Sequence, residues 1–401
     1  MPINSPTNLP RKDLFEIPSD ILYLDGNSLG PLPKGASARV ANMIQNEWGK
    51  SLIKGWNDAG WMNQPSALGD IIGQLIGAPK GSIVVGDTLS IKVYQALAAA
   101  LELRPTRKII LSDSGNFPTD LYMAQGLIHS LKQGHELRVV DPLCVHDHID
   151  ENVAAVMLTE VDYRSGRKHD MQTITEMAHA KGAVMIWDLA HSAGAIPVDL
   201  AASNCEFAVG CTYKYLNGGP GAPAFIYVRP DLSGAIKPAL SGWLGHDAPF
   251  AFEQGYRPAN SIERMRVGTP PVIQMAALEA ALIVWEDVSI IDIREASISL
   301  SERFIALVEA HCPQLTLASP RKPEERGSQV SFAFEHGYAA MQALIERGVI
   351  GDFRAPNIMR FGFTPLYLDE ADIEAAVEIL KTIMDSKLWD NPKYQKTNRV
   401  T

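Results

Sequence analysis

Two hydrophobic periods alternate along the first three quarters of the chain. Short apolar runs predict buried strands, and longer stretches with apolar residues three or four positions apart predict helices. The predicted strands are residues 108–112, 137–140, 153–158, 183–187 and 207–211, and the predicted helices are residues 91–103, 117–131 and 171–181. Because strands and helices alternate in this way, we expect one large α/β domain whose mostly parallel sheet is covered by helices.

The pattern changes near residue 285, where helices follow one another instead of alternating with strands. Helices are predicted at residues 271–286, onward through residue 308, and at 370–385, with strands at 329–334 and 359–363. This arrangement indicates a second, smaller α+β unit. We expect an N-terminal segment that packs on both domains (1–45), a large α/β domain (46–285) and a small C-terminal α+β domain (286–401).

The composition is that of an ordinary globular protein and narrows the range of partners. Of the 401 residues, 46% are hydrophobic and 20% are charged, and the formal net charge is -10. A negative chain is a poor match for nucleic acid or for an anionic membrane surface. No run approaches the roughly 18 apolar residues of a membrane span, and the N-terminus lacks the apolar core of a signal peptide. We therefore expect a cytoplasmic protein that binds neither nucleic acid nor membranes.

Cysteine and histidine spacing gives no sign of a disulfide framework or a metal centre. The four cysteines lack CxxC spacing, which is typical of a protein in a reducing cytosol: Cys144, Cys205, Cys211 and Cys312. His146 and His148 lie among acidic residues. Two histidines one residue apart on a polar turn are more often solvated than metal-bound, so we expect no metal.

Lys214 is the strongest candidate for covalent chemistry. It follows an apolar run and precedes a glycine-rich turn in the stretch GCTYKYLNGGPGAPAFIYV, residues 210–228. Such a position desolvates the amine and holds its backbone, as a lysine needs to form a Schiff base at neutral pH. An ordinary surface lysine in a hairpin is the alternative, and other parts of the chain make it the weaker one.

Asp188 ends the predicted strand at residues 183–187, and His191 lies three positions further on. Ligands of open α/β sheets bind at the carboxyl ends of strands. If the cofactor is pyridoxal phosphate, a carboxylate here keeps the pyridine nitrogen protonated, so that the ring can accept electrons. The alternative for Asp188 is a helix N-cap. His191 taken alone is more often a satisfied buried histidine.

Two predicted helix starts could bind the rest of such a cofactor. Thr88 and Ser90 lie just before the helix that runs to residue 103, and a helix N-terminus offers hydroxyls and free amides to a phosphate. Phe117 and Asp120 open another helix, where an aromatic ring could stack on a planar ligand. A core phenylalanine with an aspartate in the first helical turn explains the second pair equally well.

Six segments resemble the kynureninases, pyridoxal-phosphate enzymes of aminotransferase fold type I in the branch that includes the cysteine desulfurases. They span nearly the whole chain: YLDGNSLGPLP (23–33), FPTD (117–120), DLAHSAGAIPVDL (188–200), TYKYLNGGPGAPAFIYV (212–228), RVGTPP (266–271) and GVIGDFRAPNIMRFGFTPLY (348–367). The resemblance implies hydrolysis of L-kynurenine to anthranilate and L-alanine in tryptophan catabolism, with possible activity on 3-hydroxykynurenine.

The resemblance also implies roles for residues around the cofactor. Lys214 would carry it as a Schiff base, and Asp188 would pair with the ring nitrogen. The other implied contacts are Phe117 stacked on the ring with Asp120 nearby, Thr159 and His191 around the ring and its phenolic oxygen, and Leu89, Ser90 and Tyr213 at the phosphate. Ser90 stands where many relatives have threonine, a change that keeps the hydroxyl. Tyr213 is also our candidate acid and base.

Other implied roles concern the substrate and a second subunit. Arg360 would grip the substrate's α-carboxylate with a two-pronged hydrogen bond. Trp243 and Thr269 would reach the phosphate from the neighbouring subunit, which implies a homodimer with shared active sites. Trp56, Gly268 and Thr269 resemble the bacterial pattern near the substrate's aromatic ring, which favours kynurenine over 3-hydroxykynurenine.

Two alternatives stay open from the sequence. A cysteine desulfurase or selenocysteine lyase of the same fold would need a mobile cysteine, whereas Cys144 and Cys312 lie in no recognisable catalytic loop and Cys211 lies in a predicted strand. A catalytically silent scaffold that only binds pyridoxal phosphate is the other alternative. The combination of a Schiff-base lysine, a ring-nitrogen carboxylate and a carboxylate-binding arginine argues against it.

Overall fold

The computed structural model describes residues 7–396, so the outermost parts of the two predicted terminal segments, 1–6 and 397–401, lie outside it. The helices are α1 (Lys34–Asn42), α2 (Gly55–Asp58), α3 (Gln64–Leu75), α4 (Leu89–Leu103), α5 (Pro118–Leu131), α6 (Met171–Ala180), α7 (Leu200–Ser203), α8 (Val272–Ile283), α9 (Ile290–His311), α10 (Gly337–Ile345) and α11 (Glu370–Asp385).

The strands are β1 (Phe15–Glu16), β2 (Leu22–Tyr23), β3 (Leu32–Pro33), β4 (Ile83–Val85), β5 (Ile109–Asp113), β6 (Glu136–Val140), β7 (Val153–Thr159), β8 (Val184–Asp188), β9 (Phe207–Gly210), β10 (Phe225–Val228), β11 (Thr316–Leu317), β12 (Gln329–Ala333), β13 (Val349–Ile350), β14 (Asp352–Arg354) and β15 (Ile358–Gly362).

A seven-stranded sheet forms the centre of the large unit, in the order β4-β10-β9-β8-β7-β5-β6. Neighbours from β9 to β6 pair in parallel, whereas β10 runs antiparallel to both β4 and β9. Every residue of β7 and β8 is buried, because helices cover both faces of the sheet. The predicted α/β domain with a mostly parallel sheet is confirmed.

The strand β6 lies where it was predicted, but the prediction that it is buried is wrong. Residues 137–140 were expected to be buried, yet β6 is largely half-buried or exposed. The reason is its place at the edge of the sheet, where only β5 pairs with it. The apolar character of Leu137, Val139 and Val140 suits a strand, but it does not by itself distinguish a central strand from an edge strand.

The smaller unit contains a four-stranded antiparallel sheet in the order β11-β12-β15-β14. Phe304 of α9 packs against this sheet, with its ring 4.9 Å from that of Phe361 and 5.2 Å from that of Phe363, centroid to centroid. The α+β character predicted for this part is therefore confirmed. The domain boundary at residues 285 and 286 stays a prediction.

The N-terminal segment touches both units. β2 pairs in parallel with β13 of the smaller unit, and the Gly30 amide donates a hydrogen bond to the Tyr213 carbonyl oxygen of the larger one at 2.8 Å. Within residues 7–396, no helix is long and apolar enough to cross a membrane.

Glu160 follows β7 directly and is an unusual residue for the interior. Its side chain is buried, and its Oε2 atom lacks a hydrogen-bond partner. Burial raises the pKa of this carboxyl from 4.5 to about 7, against the opposing effects of Ser192 and Lys168. A raised pKa means that the folded state holds the proton more tightly than the unfolded state does. The proton held by Glu160 therefore contributes to the free energy of unfolding below about pH 4.5. This contribution is lost as the pH rises through about 7.

Replacing Glu160 with glutamine should stabilise the protein in a pH-dependent way. At about pH 5 the carboxyl is mostly protonated and the amide resembles it, so the stability difference should be small. At about pH 8 the Glu160→Gln variant should gain up to about 3 kcal/mol, the free energy of a shift of this size. Thermal unfolding at the two pH values measures the effect.

The exposed Glu335 provides a matched control. Glu335→Gln should change stability little at either pH. An equal stabilisation of Glu160→Gln at both pH values would show that ionisation of Glu160 is not the cause.

Candidate active site

Three elements bring the main candidate residues to one edge of the large sheet. Thr159 ends β7 and Asp188 ends β8, and the two residues are paired in register. Lys214 lies in the loop that follows β9, the next parallel strand. Because neighbouring parallel strands end at the same edge, the alternation of strands and helices is itself what places these residues together.

The amine of Lys214 meets a buried histidine. Its Nζ atom lies 2.9 Å from Nε2 of His191, and 5.8 Å from the centre of the Tyr213 ring. Burial lowers the pKa of His191 well below its usual value, and the positive charge of Lys214 adds to this effect. The imidazole is therefore neutral, and a neutral imidazole can accept a hydrogen bond from the amine.

The DGNSLG motif supports the loop that carries Lys214. A side chain at Gly30 would collide with the carbonyl oxygen of Lys214 and with Asn217, each 2.4 Å from the position of a Cβ atom. Only glycine allows this close approach. Asn217 also closes the turn, because its amide donates to the Lys214 carbonyl oxygen at 2.9 Å. The N-terminal segment is thus part of the site's framework.

Two acidic side chains, Asp188 and Asp120, are buried together beneath this loop. They are 2% and 1% exposed. Burial raises the pKa of Asp188 to about 6, with Lys214 opposing the shift. Burial and the neighbouring Asp188 raise the pKa of Asp120 well above its usual value. A hydrogen bond between the two carboxyls favours the proton on Asp120 and the negative charge on Asp188, so a protonated ring nitrogen of a ligand would suit Asp188.

Asp188 caps a turn, whereas the alternative interpretation proposed a helix N-cap, and among the described residues no helix begins between Asp188 and α7 at Leu200. Its Oδ1 atom accepts a hydrogen bond from the Ala190 amide at 2.8 Å, which caps the turn after β8. The other carboxylate oxygen, Oδ2, lies 3.5 Å from the Thr159 hydroxyl. One oxygen thus stabilises the turn while the second faces the site.

Asn116 is a residue that the sequence analysis missed. Its Oδ1 atom accepts hydrogen bonds from the Thr159 hydroxyl at 2.5 Å and from the Phe117 amide at 2.7 Å. It thereby connects β7 to the start of α5. Its position directly before the FPTD segment was the available signal. The Phe117 ring is 41% exposed, and it stands edge-on to the Tyr163 ring with centroids 5.1 Å apart.

The start of α4 offers free amides, although its side-chain cap differs from the expectation. Thr88 is the N-cap residue but makes no side-chain capping bond. Leu89 and Ser90 form the first turn, so Ser90 lies inside the helix rather than before it. The first intrahelical bond runs from the Lys92 amide to the Thr88 carbonyl oxygen. The preceding amides have no helical acceptor, which makes this helix end suitable for an anion.

Arg360 is buried in the smaller unit and is already paired. Its Nε atom donates to Oδ1 of Asp352 at 2.6 Å, and its Nη2 atom donates to Oδ2 of the same carboxylate. Nη2 also donates to the Ser28 hydroxyl at 2.9 Å, and Nη1 donates to the Tyr163 carbonyl oxygen. One Nη1 proton stays free, and a two-pronged grip on a second carboxylate requires Ser28 to give way.

Asp352 and Ser28 have no role predicted from the sequence, although both lie in segments that carry the resemblance. Asp352 pairs in register with Arg360 across the β14–β15 hairpin. Ser28 belongs to DGNSLG, and its hydroxyl donates to Oδ2 of Asp352 at 2.6 Å. The N-terminal segment therefore supports Arg360 as well as Lys214.

Four candidate residues make no hydrogen bond to Lys214, Asp188 or His191 within the part of the chain that the structure describes. Trp243 is 42% exposed, and its ring packs edge-on against Phe250 at 5.8 Å. Gly268 and Thr269 are exposed. Trp56 is half-buried, with its ring 5.4 Å from that of Trp61. These positions leave their assigned roles as predictions.

Neither a metal centre nor a reactive thiol stands out between residues 7 and 396. No group of three or more histidine, cysteine, aspartate or glutamate side chains is placed to hold a metal ion. Cys205, Cys211 and Cys312 are buried, and burial raises the pKa of each thiol. Such thiols are poor nucleophiles. The half-buried Cys144 lies in the 3-10 helix at Pro142–His148.

Comparison with solved structures identifies the fold. The chain superposes on the apo cysteine desulfurase of Thermococcus onnurineus NA1 with a TM-score of 0.79 at 17% identity, covering 95% of this chain and 99% of that one. A mutant of the lyase C-DES, with glycine covalently linked to its PLP cofactor, gives a TM-score of 0.80 at 18% identity, covering 93% of this chain and 99% of that one. At such identities the likeness concerns the fold alone.

Sequence comparison is more specific. Residues 293–380 match the model of the kynureninase C-terminal domain. The chain is 48% identical to a kynureninase of Pseudomonas fluorescens, over 98% of this chain and 96% of that protein. It is 47% identical to a kynureninase of Burkholderia pseudomallei, with the same coverage of both chains. The chain belongs to the kynureninase family.

Proposed function

We propose that this enzyme uses pyridoxal phosphate to hydrolyse L-kynurenine to anthranilate and L-alanine. The observation that carries the proposal is that Lys214, Asp188 and His191 meet at one sheet edge in a chain 48% identical to a kynureninase. A kynureninase is a hydrolase that acts on a carbon–carbon bond of a ketone. Desulfurase chemistry has only the shared fold in its favour, and the buried thiols count against it.

The residues present fit pyridoxal phosphate. The buried Asp188, whose negative charge is favoured by a hydrogen bond with Asp120, suits a protonated pyridine nitrogen. The free amides at Leu89 and Ser90 suit the phosphate, to which Tyr213 would contribute its hydroxyl. Phe117 would stack on the ring, while Thr159 and His191 would lie around the ring and its phenolic oxygen. Lys214 would bind the aldehyde carbon.

The bound cofactor supplies a ring that accepts the electron pair left when a proton leaves the substrate's α-carbon. Asp188 stabilises a proton on the ring nitrogen, because a buried carboxylate interacts strongly with an adjacent cation. The free Lys214 amine would take the α-proton and would return it to the α-carbon when L-alanine forms. His191, being neutral, can accept a hydrogen bond from that amine without adding a competing positive charge.

The substrate's carboxylate and ketone need their own partners. Arg360 offers its free Nη1 proton, and its fork is oriented by Asp352. Water adds to the γ-carbonyl, the Cβ–Cγ bond breaks, and Cβ then takes up a proton. Tyr213 is our candidate for donating it. The neighbouring Cys211 and burial both raise the pKa of the Tyr213 hydroxyl, so the group is protonated at neutral pH, as an acid must be.

The enzyme is further proposed to act as a cytoplasmic homodimer. Trp243 and Thr269 are exposed in a single chain, as residues that complete a neighbour's site would be. Phe250 packs against Trp243 and Phe252 packs against Phe250. These two side chains, 62% and 79% exposed, are suited to burial against a second copy. Trp56, Gly268 and Thr269 are assigned to the substrate's aromatic ring, with kynurenine preferred over 3-hydroxykynurenine.

Purified enzyme with pyridoxal phosphate should release anthranilate from L-kynurenine. Anthranilate fluorescence measures the rate, and 3-hydroxykynurenine is assayed in parallel through its own product. A higher rate with kynurenine would support the roles given to Trp56, Gly268 and Thr269. If neither substrate reacts although the cofactor is visibly bound, the proposed function is wrong and cysteine is the next substrate to test.

Lys214→Ala should lower turnover by about a thousandfold or more, because the variant lacks both the cofactor attachment and the base. Activity is measured by anthranilate release, with circular dichroism to verify folding. Lys181 is a suitable control, since this surface lysine pairs with the exposed Glu151 at 2.7 Å. Lys181→Ala should keep full activity, and substantial activity of Lys214→Ala would contradict the scheme.

Two inactive variants should restore activity when their subunits are mixed. Each site is proposed to use Lys214 from one subunit and Trp243 from the other. A dimer of one Lys214→Ala chain with one Trp243→Ala chain then contains one intact site and one doubly defective site. Random mixing should recover roughly a quarter of the parent activity. No recovery, with mixed dimers verified by differently tagged chains, would show that the sites are not shared.

A further inference from the structure

Gln329 is a fully buried amide whose orientation is determined by its neighbours. It lies in β12 opposite Gly362 of β15, and it is 0% exposed. Its Nε2 atom lies 3.0 Å from the Tyr163 carbonyl oxygen and 3.4 Å from the Asp162 carbonyl oxygen. Carbonyl oxygens can only accept hydrogen bonds, so the amide nitrogen must face them. The Oε1 atom therefore points the other way, and it lacks a partner.

His191 presents the complementary unpaired atom. Its Nε2 atom faces the Lys214 amine, whereas its buried Nδ1 atom lacks a partner. Among the groups that influence His191, Gln329 favours a proton on the ring through hydrogen bonding. Gln329 is thus near enough to influence the His191 ring, and each residue has one buried polar atom without a partner, Oε1 of Gln329 and Nδ1 of His191. Leaving both unpaired would cost free energy that one hydrogen bond between them avoids.

We propose that Gln329 is a positioning residue that sets the tautomer of His191 while the Lys214 amine is free. Oε1 of Gln329 accepts a hydrogen bond from Nδ1–H of His191. The neutral ring then carries no proton on Nε2, and that nitrogen presents its lone pair to the Lys214 amine. In the opposite tautomer, lone pairs on Nδ1 and Oε1 would face each other, which is unfavourable.

The same amide connects Lys214 to Arg360. The Tyr163 carbonyl oxygen accepts hydrogen bonds both from Gln329 and from Nη1 of Arg360. A continuous series therefore runs from the Lys214 amine through His191, Gln329 and the Tyr163 carbonyl to the guanidinium. It joins the edge of the large sheet to the small sheet. Placement of the catalytic amine and of the carboxylate-binding arginine thus depends on one side chain.

The loop at residues 160–169 approaches Gln329 too closely for a larger residue. A Cβ atom at Gly166 would lie 2.8 Å from the backbone oxygen of Gln329 and 2.9 Å from its Cγ atom. Gly166 has a φ of +72°, which also favours glycine. The loop thereby holds the carbonyl groups of Asp162 and Tyr163 against the amide and prevents it from turning over.

Gln329→Met tests the proposal with little damage to the fold. Both carbonyl oxygens keep another donor, since the Gly166 amide binds that of Asp162 and Arg360 binds that of Tyr163. Methionine is of similar volume and removes only the hydrogen bonding. Ser331→Ala is the matched control, because Ser331 lies on the same strand and donates to the Arg164 carbonyl oxygen of the same loop at 2.5 Å.

The direct measurement is the nitrogen-15 spectrum of the imidazole rings in the full-length protein, with and without cofactor. The chain has ten histidines, and the His191 signals are assigned by their loss in His191→Asn. We expect the Nδ1–H tautomer in the cofactor-free parent and in Ser331→Ala, and a shift toward the Nε2–H tautomer in Gln329→Met. An Nε2–H ring in the cofactor-free parent would overturn the proposal, whether or not any variant folds.

Kinetics provide the second measurement, which rests on the proposed function. Gln329→Met should lower kcat for kynurenine by about tenfold or more while KM changes by less than about threefold, since the loss affects the lysine's proton chemistry. Ser331→Ala should change neither. Equal kcat in Gln329→Met and the parent would contradict the role in positioning. If the unsubstituted protein releases no anthranilate, the proposed function is wrong. The tautomer measurement would still decide whether Gln329 positions His191.

Discussion

The burial of two carboxyl groups side by side is the constraint on which the active site depends. Asp188 and Asp120 are held inside the protein by β8 and by the first turn of α5. Removing a charge from water costs on the order of several kcal/mol unless an opposite charge compensates it. Lys214 is the cation that acts on both carboxyls. The placement of this lysine and the requirement for a protonated ligand nitrogen both follow from that electrostatic demand.

The remaining features of the site hold the lysine where the carboxyls require it. Gly30 allows the N-terminal segment to support the backbone of Lys214, and Ser28 of the same motif contacts the Arg360–Asp352 pair. The loop at residues 160–169 reaches from the large sheet to the small one and provides the Tyr163 carbonyl group to Arg360. A single short motif and a single loop thus set the distance between the Lys214 amine and the Arg360 guanidinium.

Much of the fold and part of the site could be predicted from the sequence, for a clear physical reason. Fully apolar runs such as β7 and β8 indicate strands covered on both faces, and parallel strands end at a common edge. Asp188 and Lys214 could therefore be placed together without a structure. The environment of β6 could not be predicted, because an edge strand and a central strand can have the same apolar residues. The start of α4 was placed two residues too late, at residue 91 instead of Leu89, because helix ends are set by backbone bonds that the sequence shows only weakly.

The sequence by itself determined the α/β class, the sheet edge that carries the chemistry, the chemical types of the site residues and, through its motifs, the family. Only the tertiary structure decided which groups are paired. The pairs Asn116 with Thr159 and Asp352 with Arg360 depend on contacts between elements distant in sequence or on register across a hairpin. Hydrogen bonds require correct distance and direction between particular atoms. The order of residues along the chain specifies neither the distance nor the direction. The packing of the two sheets against the loop at residues 160–169 specifies both.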